Sequence, residues 1–376
     1  MNHALPQLVL DQLNGAQSRL KHSRVLVGLD GFVDTILRVV RIRESATQYK
    51  PVLMISDFAE RVSAASGVSA NFEMVPQVVK LGGNGPIMAN ALGSYDTRVT
   101  YIGNLGAPHL HPVFADFAKT SKVISIAEPG YTDAVEFEDG KLMLGKHASL
   151  HEVNWKNILR FVPEEKLIEM FERSSLIALV NWTMLPYMTD ILQKVLTRVA
   201  PSLTGEKRWI FFDLCDPAKR TNADITRMLK LIAKFQKYFR VILGLNLQES
   251  RQIGAVLGID PPPEMIDAVE IHAAAIQRKL KVETVVVHPR SFAAAADAHG
   301  ACVVAGPVAA KPKITTGAGD HFNAGFCIGR LLGCDLASSL QIGVATSGFY
   351  VRQAKSPSLE DLRKFLQALQ TGQLSS

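Results

Sequence analysis

Short apolar runs rich in β-branched residues alternate along most of this chain with longer segments of helical periodicity. A near-continuous apolar strand has to be buried on both faces, and a helix between two such strands returns the chain so that they lie parallel. The alternation therefore predicts an α/β protein, a three-layer α/β/α sandwich on a doubly wound, mostly parallel sheet. The predicted strands are residues 24–28, 99–103, 175–180, 209–213, 240–244 and 284–287.

Two segments lack this alternation, residues 35–80 and 107–155. The second contains Glu138-Asp139-Gly140 between stretches in which apolar and polar residues alternate, and an Asp-Gly pair supplies the positive φ values of a tight hairpin turn. We interpret both segments as excursions that pack together as a small β lid. The α/β core then consists of residues 1–34, 81–106 and 156–376.

Composition narrows the class of protein. With 47% hydrophobic and 20% charged residues, disorder, collagen-like repeats and a coiled coil are excluded. Neither a signal peptide nor an apolar run of roughly 18 residues is present, which predicts a soluble, cytoplasmic protein without a membrane partner. The net charge of +6 comes without a basic run, which argues against nucleic acid and fits a small anionic ligand such as a nucleotide. Four cysteines without a CxxC pair indicate core residues in a reducing compartment.

The segment with the most chemistry is residues 314–326, which contains Gly317-Ala318-Gly319-Asp320. The two glycines let the backbone approach a ligand closely, and the apolar helical pattern that follows places a helix N-terminus here, where free amides attract anions. An acid in such a site would repel a phosphate. Asp320 is better explained as a base that takes a proton from an attacking hydroxyl while the amides hold the transferring phosphoryl group. The alternative is a tight turn with an Asp cap.

Asn246 and Glu249 follow the predicted strand 240–244 on the first turn of a helix. Side chains three residues apart face the same way, so this pair can share a hydrated magnesium ion or orient its waters. The alternative is a helix cap in which Asn246 and Glu249 bond to each other's backbone. The neighbouring anion site favours the metal interpretation.

Two elements are candidates for binding a polar substrate. Gly82-Gly83 offers backbone amides at the start of a helix of small residues, and Asn84 adds a side-chain amide. Asp34 closes the first strand, where open α/β sheets bind ligands, and a carboxylate accepts two adjacent sugar hydroxyls well. Ordinary turn chemistry is the alternative for both elements.

Arg290 follows the predicted strand 284–287, where a cation would steady the charge of a transferring phosphate. A solvated loop arginine is the alternative. His288, at the end of the same strand, is interpreted as an ordinary surface or core histidine.

The order and approximate spacing of these motifs resemble those of the ribokinase-like carbohydrate kinases, also called the phosphofructokinase B type. The resemblance covers roughly residues 24–370. Its motifs are Asp34, Gly82-Gly83 with the helix that ends at Leu92-Gly93, residues 102–106, Asn246-x-x-Glu249 and Gly317-Ala318-Gly319-Asp320.

The resemblance implies a ribokinase-like sandwich with a β lid and transfer of the γ-phosphate of ATP to a hydroxymethyl group. It implies magnesium as cofactor and a sugar or nucleoside as acceptor. The implied roles are Asp320 as base, the amides of Gly317, Ala318 and Gly319 as anion hole, Asn246 and Glu249 at the magnesium, and Asp34, Gly82 and Gly83 at the substrate. We further predict Asn84 at the substrate and Asn246, Thr316 and Arg290 at the nucleotide. Because a lid sheet with one bare face often finds a partner, we also predict a homodimer.

Three departures from the family pattern leave parts of the reaction open. Ile314 stands where the family often has an Asp associated with monovalent-cation binding, so potassium activation is not expected. Ile87 stands where many sugar kinases place an Asn that contacts the substrate, so the usual sugar cannot be assumed. Residues 288–292 replace a Gly-rich turn toward the nucleotide, so both ATP and ADP stay open as donors. A nucleoside kinase, an ADP-dependent sugar kinase and a non-catalytic sugar or nucleotide sensor are the alternative functions.

Overall fold

A computed structural model describes residues 4–374, which form one nine-stranded and one five-stranded sheet with helices around them. The strands are β1 (Arg24–Leu29), β2 (Phe32–Arg43), β3 (Tyr49–Pro51), β4 (Met74–Gly82), β5 (Arg98–Gly103), β6 (Lys122–Ser125), β7 (Gly130–Glu136), β8 (Lys141–Lys146), β9 (Leu176–Leu179), β10 (Trp209–Asp213), β11 (Arg240–Leu245), β12 (Thr284–Val287), β13 (Phe292–Asp297) and β14 (Gly300–Ala305). The α-helices are α1 (Ala4–Gln12), α2 (Ala16–His22), α3 (Ile55–Ala64), α4 (Asn84–Gly93), α5 (Ala115–Thr120), α6 (Trp155–Phe161), α7 (Glu164–Arg173), α8 (Met188–Lys194), α9 (Asn222–Phe235), α10 (Leu247–Val256), α11 (Ile266–Leu280), α12 (Ala318–Leu331), α13 (Leu336–Gln353) and α14 (Leu359–Gln370). Single turns of 3₁₀ or π helix lie at Pro112–Phe114, Ala148–Glu152, Val195–Val199, Ala200–Ser202 and Pro217–Lys219.

The large sheet has the order β14-β13-β12-β11-β10-β9-β1-β5-β6 and is parallel from β12 to β6. Its two faces carry two separate cores, because successive strand residues point to opposite sides. In β10, Ile210 and Phe212 pack on the side of α6 to α11, whereas Trp209 and Phe211 pack on the side of α4, α12 and α13. The predicted three-layer sandwich is confirmed, and each predicted strand lies within a residue of an observed one.

The small sheet forms the lid. Its strands have the order β3-β2-β7-β8, and β4 also pairs with β2, outside this order. Phe58 of α3 packs against Val135 and Phe137 in a satellite core of its own. The predicted hairpin is confirmed, since β7 and β8 pair antiparallel. Its turn differs from the prediction, because Phe137 N donates to Gly140 O across a four-residue connection in which no residue has a positive φ.

The boundaries of the lid differ from those we assigned. β2 already joins the lid sheet at Phe32. Within the segment 107–155, β6 pairs in parallel with β5 at the edge of the large sheet, because Phe114 and Phe117 are buried in the core beside it. The lid sheet therefore comprises β2, β3, β4, β7 and β8.

Four connections join the lid to the core, and two of them adjoin the start of α4. Asp30-Gly31 connects β1 to β2, and Gly83 alone connects β4 to α4. Among residues 4–374, no helix is both long enough and apolar enough to cross a bilayer.

Candidate active site

The N-terminus of α12 contains the residues of the predicted anion site. Gly317 precedes the helix with φ 89°, a backbone conformation that favours glycine. The amide of Ala318 donates to the Thr315 carbonyl at 3.1 Å, so it is already used within the turn. Within residues 4–374, the amides of Gly317 and Gly319 have no acceptor. The two glycine amides are therefore free in this structure, while the anion hole of Gly317, Ala318 and Gly319 stays a prediction.

Asp320 lies in the first turn of α12 and is 8% exposed. Asn84 Nδ2, at the start of α4, donates to its Oδ1 at 2.9 Å. Burial raises the pKa of Asp320 to about 8 against the lowering effect of the Asn84 hydrogen bond, and the charges of Asp30 and Glu249 each add a smaller increase. The carboxyl thus sits between the substrate-side helix and the free amides, with a proton affinity suited to a base near neutral pH.

Asp30, which follows β1, holds α4 in place. Its carboxylate accepts the amides of Asn84 at 3.0 Å and Gly85 at 2.9 Å, and Asn181 Nδ2 donates to it at 2.8 Å. Burial raises the pKa of Asp30 to about 6, against the lowering effect of these bonds. Asp30 therefore fixes the helix start from which Asn84 reaches Asp320.

Asp34 lies on the lid rather than at the carboxyl end of β1, because the chain enters β2 at Phe32. It faces Lys80 of β4 and Thr132 of β7 in the register of the lid sheet. A Cβ at Gly82 would collide with the Asp34 carboxylate, so this approach requires glycine. Burial raises the pKa of Asp34, opposed by the Thr132 hydrogen bond and the charge of Lys80. The lid thus carries the carboxylate to Gly82, at the entrance to α4.

An open cleft of about 530 Å³ adjoins the Gly319 amide. Arg290 lines the cleft and is exposed. Thr315, not the predicted Thr316, lines the cleft. His288, interpreted from the sequence as an ordinary histidine, is half-buried in the cleft wall. It packs on Phe322 with 4.7 Å between ring centroids, and desolvation lowers its pKa to about 4. A larger groove of about 660 Å³ between α8 and α9 contains none of the predicted site residues.

Asn246 and Glu249 form the capping box that was the alternative to a metal site. Asn246 Oδ1 accepts the Glu249 amide at 2.9 Å, and the Glu249 carboxylate accepts the amides of Asn246 at 2.8 Å and Asp216 at 2.9 Å. Each carboxylate oxygen keeps a second lone pair. The cap therefore fixes the direction of both side chains and leaves Asn246 on the cleft wall.

Asp213 is a site residue that the sequence analysis missed. It ends β10 and accepts the Cys215 amide at 2.8 Å and Asn323 Nδ2 at 3.0 Å. Burial raises the pKa of Asp213 well above its ordinary value, and the charges of Glu249 and Asp320 raise it further. Its position at the carboxyl end of a predicted parallel strand was the signal that could have identified it.

The chemistry of these acids bears on whether magnesium fits the site. The charges of neighbouring acids raise the pKa values of Asp213 and Asp320, and these neighbours include Asp30 and Glu249. Together the acids make a region of negative potential beside the cleft. Among residues 4–374, no three His, Cys, Asp or Glu side chains are grouped closely enough to hold a metal ion by themselves. The donors therefore fit a hydrated magnesium ion that arrives with a nucleotide and keeps most of its waters, and they do not form a protein-only cage.

The sequence as a whole matches known sugar kinases. A family model described as prokaryotic ketohexokinase matches residues 9–369. A curated relative, the ketohexokinase of Haloferax volcanii, is 30% identical over 349 residues, which is 92% of this chain and 92% of the relative.

Solved structures show the same architecture at low sequence identity. Ribokinase of Arabidopsis thaliana, solved with ribose and ATP, superposes with a TM-score of 0.63 at 15% identity over 92% of this chain and 98% of that one. Phosphofructokinase-2 of Escherichia coli, solved with substrates and products, gives a TM-score of 0.64 at 16% identity over 93% and 99%. The predicted ribokinase-like fold is confirmed by these superpositions.

Proposed function

The chain belongs to the prokaryotic ketohexokinase family and is a carbohydrate kinase; from this premise we propose that it transfers the γ-phosphoryl group of ATP to a hydroxymethyl group of a ketohexose. The observation that carries the mechanism is the position of Asp320, a buried carboxyl between Asn84 on the sugar side and the free glycine amides on the nucleotide side. The name of the Haloferax relative supports the choice of a ketohexose.

Asp320 acts as the general base in this proposal. A pKa of about 8 makes it a stronger base than an ordinary carboxylate, while part of it stays ionised near neutral pH. It takes the proton of the acceptor hydroxyl as the oxygen attacks phosphorus, and the bond from phosphorus to the leaving ADP oxygen breaks. The amides of Gly317 and Gly319 stabilise the charge on the transferring group.

The acceptor sugar lies between the lid and α4 in this proposal. The Asp34 carboxylate accepts two of its hydroxyls, Gly82 and Gly83 let the sugar approach the backbone, and Asn84 orients Asp320. Closure of the lid would then exclude water, which otherwise competes with the sugar for the phosphoryl group.

The nucleotide occupies the cleft of about 530 Å³. We propose that Arg290 binds the phosphates of the nucleotide and that Thr316 belongs to the loop on which these phosphates lie. Asn246 and Glu249, aligned by their mutual cap, would orient the waters of a magnesium ion on the phosphates. Magnesium, when bound, neutralises the phosphate charge that the nearby acids would otherwise repel.

A homodimer through the lid completes the proposal. Val78, Val79, Met143 and Leu144 on the two edge strands are 47–53% exposed, which is a large apolar area for one small sheet. Light scattering on the purified chain tests this, and a mass of one chain at micromolar concentration would contradict it.

The function is tested by a kinase assay on a panel of ketohexoses, aldoses and nucleosides, with ATP or ADP and magnesium. We expect the highest kcat/KM for a ketohexose with ATP. Preference for a nucleoside would favour a nucleoside kinase, and preference for ADP an ADP-dependent enzyme. Ligand binding without nucleotide consumption would favour a sensor.

A further inference from the structure

The carbonyl groups behind the anion site are held by two aromatic side chains. His321 Nδ1 bonds the Gly317 carbonyl at 2.8 Å, beside the backbone amide of His321, which donates to the same carbonyl at 3.1 Å. The Tyr350 hydroxyl donates to the Thr316 carbonyl at 2.9 Å. The two rings stack with 3.5 Å between centroids and 15° between planes. His321 belongs to α12 and Tyr350 to α13, so side chains of two helices bond to the same short loop, at Thr316 and Gly317.

The hydrogen-bond partners fix the tautomer of His321. A carbonyl oxygen cannot donate, so Nδ1 carries the proton. His321 Nε2 lies 2.9 Å from Ser356 Oγ, which accepts a bond from Asn90 Nδ2 at 3.2 Å and therefore directs its own proton to Nε2. Burial lowers the pKa of His321 to about 4, which keeps the ring neutral and consistent with this arrangement.

These bonds fix the orientation of the two peptide planes on either side of Gly317. In a trans peptide the carbonyl and the N–H point in opposite directions. The Thr316 carbonyl shares its peptide plane with the free N–H of Gly317, so the Tyr350 hydroxyl on one side holds that amide on the other. The Gly317 carbonyl shares its plane with the N–H of Ala318, which bonds Thr315. Both planes next to a conformationally permissive glycine are thereby held.

We propose that His321 and Tyr350 are positioning residues for phosphoryl transfer, which hold the two peptide planes around Gly317 and so aim its amide at the transferring group. This inference rests on the proposed function, since it concerns the same anion site. A hydrogen bond on the carbonyl also polarises the peptide, which makes the opposite N–H a better donor. The side chains act through the backbone and need not touch the substrates.

The same network reaches the substrate side through α4. That helix presents Asn84 to Asp320 at its start, and Asn90 to Ser356 two turns later. The base and the loop behind the amides are therefore tied to one rigid element. A bond from Ser94 Oγ to the Pro357 carbonyl at 2.7 Å strengthens this tie.

The test uses three variants, of which the two phenylalanine variants keep the stacked rings. Tyr350→Phe removes only the hydroxyl, His321→Phe removes both ring nitrogens, and His321→Asn restores a donor where Nδ1 stood. The matched control is Tyr95→Phe, which removes a buried hydroxyl that bonds Thr346 of α13 at 2.7 Å, away from the loop. Calorimetric binding of ATP and of adenosine is measured beside kcat for the sugar.

We expect Tyr350→Phe and His321→Phe to weaken ATP binding or lower kcat by about tenfold or more, with adenosine binding within twofold of wild type. His321→Asn should recover most of the ATP affinity or kcat that His321→Phe loses. Tyr95→Phe should change neither ATP affinity nor kcat. The double Phe variant should lose less than the sum of the two single effects, because both residues act on one loop. The inference is overturned if both Phe variants bind and turn over ATP like wild type, or if ATP and adenosine weaken equally. A wild-type protein inactive on every sugar would instead refute the proposed function.

Discussion

Replacement of Asp320 by asparagine should make the protein more stable and much less active. Burial, with the charges of Asp30 and Glu249, raises the pKa of this carboxyl from 3.8 to about 8. The folded state then holds the proton more tightly than the unfolded state, so this group lowers stability as pH rises from about 4 to about 8. The slope is at most about 1.4 kcal/mol per pH unit, which gives an upper limit of about 4 kcal/mol at pH 7.

Asparagine has no charge to bury, and its side-chain oxygen can still accept the bond from Asn84. The variant is therefore expected to gain up to about 4 kcal/mol at pH 7. For a chain of 376 residues, an unfolding entropy of about 2 cal/mol/K per residue converts this to about 5 °C in Tm. Without the base, turnover should fall by about 10²-fold or more.

The assay is scanning calorimetry at pH 5, 7 and 8 without nucleotide or magnesium, since a bound cation would lower the pKa of Asp320. Turnover is measured in parallel on the preferred sugar. Asp335→Asn is the control, because Asp335 caps α13 through the Ser338 amide and asparagine caps equally well. The reasoning fails if Asp320→Asn is less stable than wild type at pH 8, or if the difference does not grow between pH 5 and pH 8. Unchanged phosphoryl transfer would remove Asp320 as the base.

Three further predictions concern the sugar, the salt and the cap. Gly82→Ala places a methyl group against the Asp34 carboxylate. Steady-state kinetics should then show a KM for the sugar that is at least tenfold higher, with the KM for ATP unchanged. Gly93→Ala is the control, because a Cβ at Gly93 has room. Because Ile314 replaces the acid of the cation site, we expect the same kcat in potassium and choline salts of equal ionic strength, and activation by potassium would contradict this. Glu249→Gln sets an amide NH₂ against one of two backbone N–H groups, so calorimetry should show a free energy of unfolding that is lower by about 2 kcal/mol. The magnesium concentration needed for half-maximal rate should also rise in this variant.

The sequence was sufficient where one local pattern had one structural solution. Apolar strands alternating with amphipathic helices can form only a covered parallel sheet. Gly-Ala-Gly-Asp before an apolar helix places an acid beside glycine amides at a helix N-terminus, as the structure shows. Asp320 and Asn84 were both chosen as candidates from such patterns, although their mutual contact was not predicted.

The misses lie where tertiary contacts decide the outcome. The alanine-rich run of β13 has low strand propensity, and it becomes a strand because Val303 and its neighbours in β14 pair with it antiparallel. Asp213 is a lone acid at a strand end, and only the fold brings it to Glu249 and Asp320. For Asn246 and Glu249, the capping rule alone predicted the bonds that the structure contains.

Two junctions of the lid have a consequence for redesign. Asp30-Gly31 and Gly83 join the lid to the core and also adjoin the groups that would meet the sugar. A substitution chosen to admit a different acceptor would therefore also alter how readily the lid swings shut. In directed evolution of this chain, the range of accepted sugars and the rate of nucleotide hydrolysis by water should therefore change together. Variants that change one of these properties without the other should be rare.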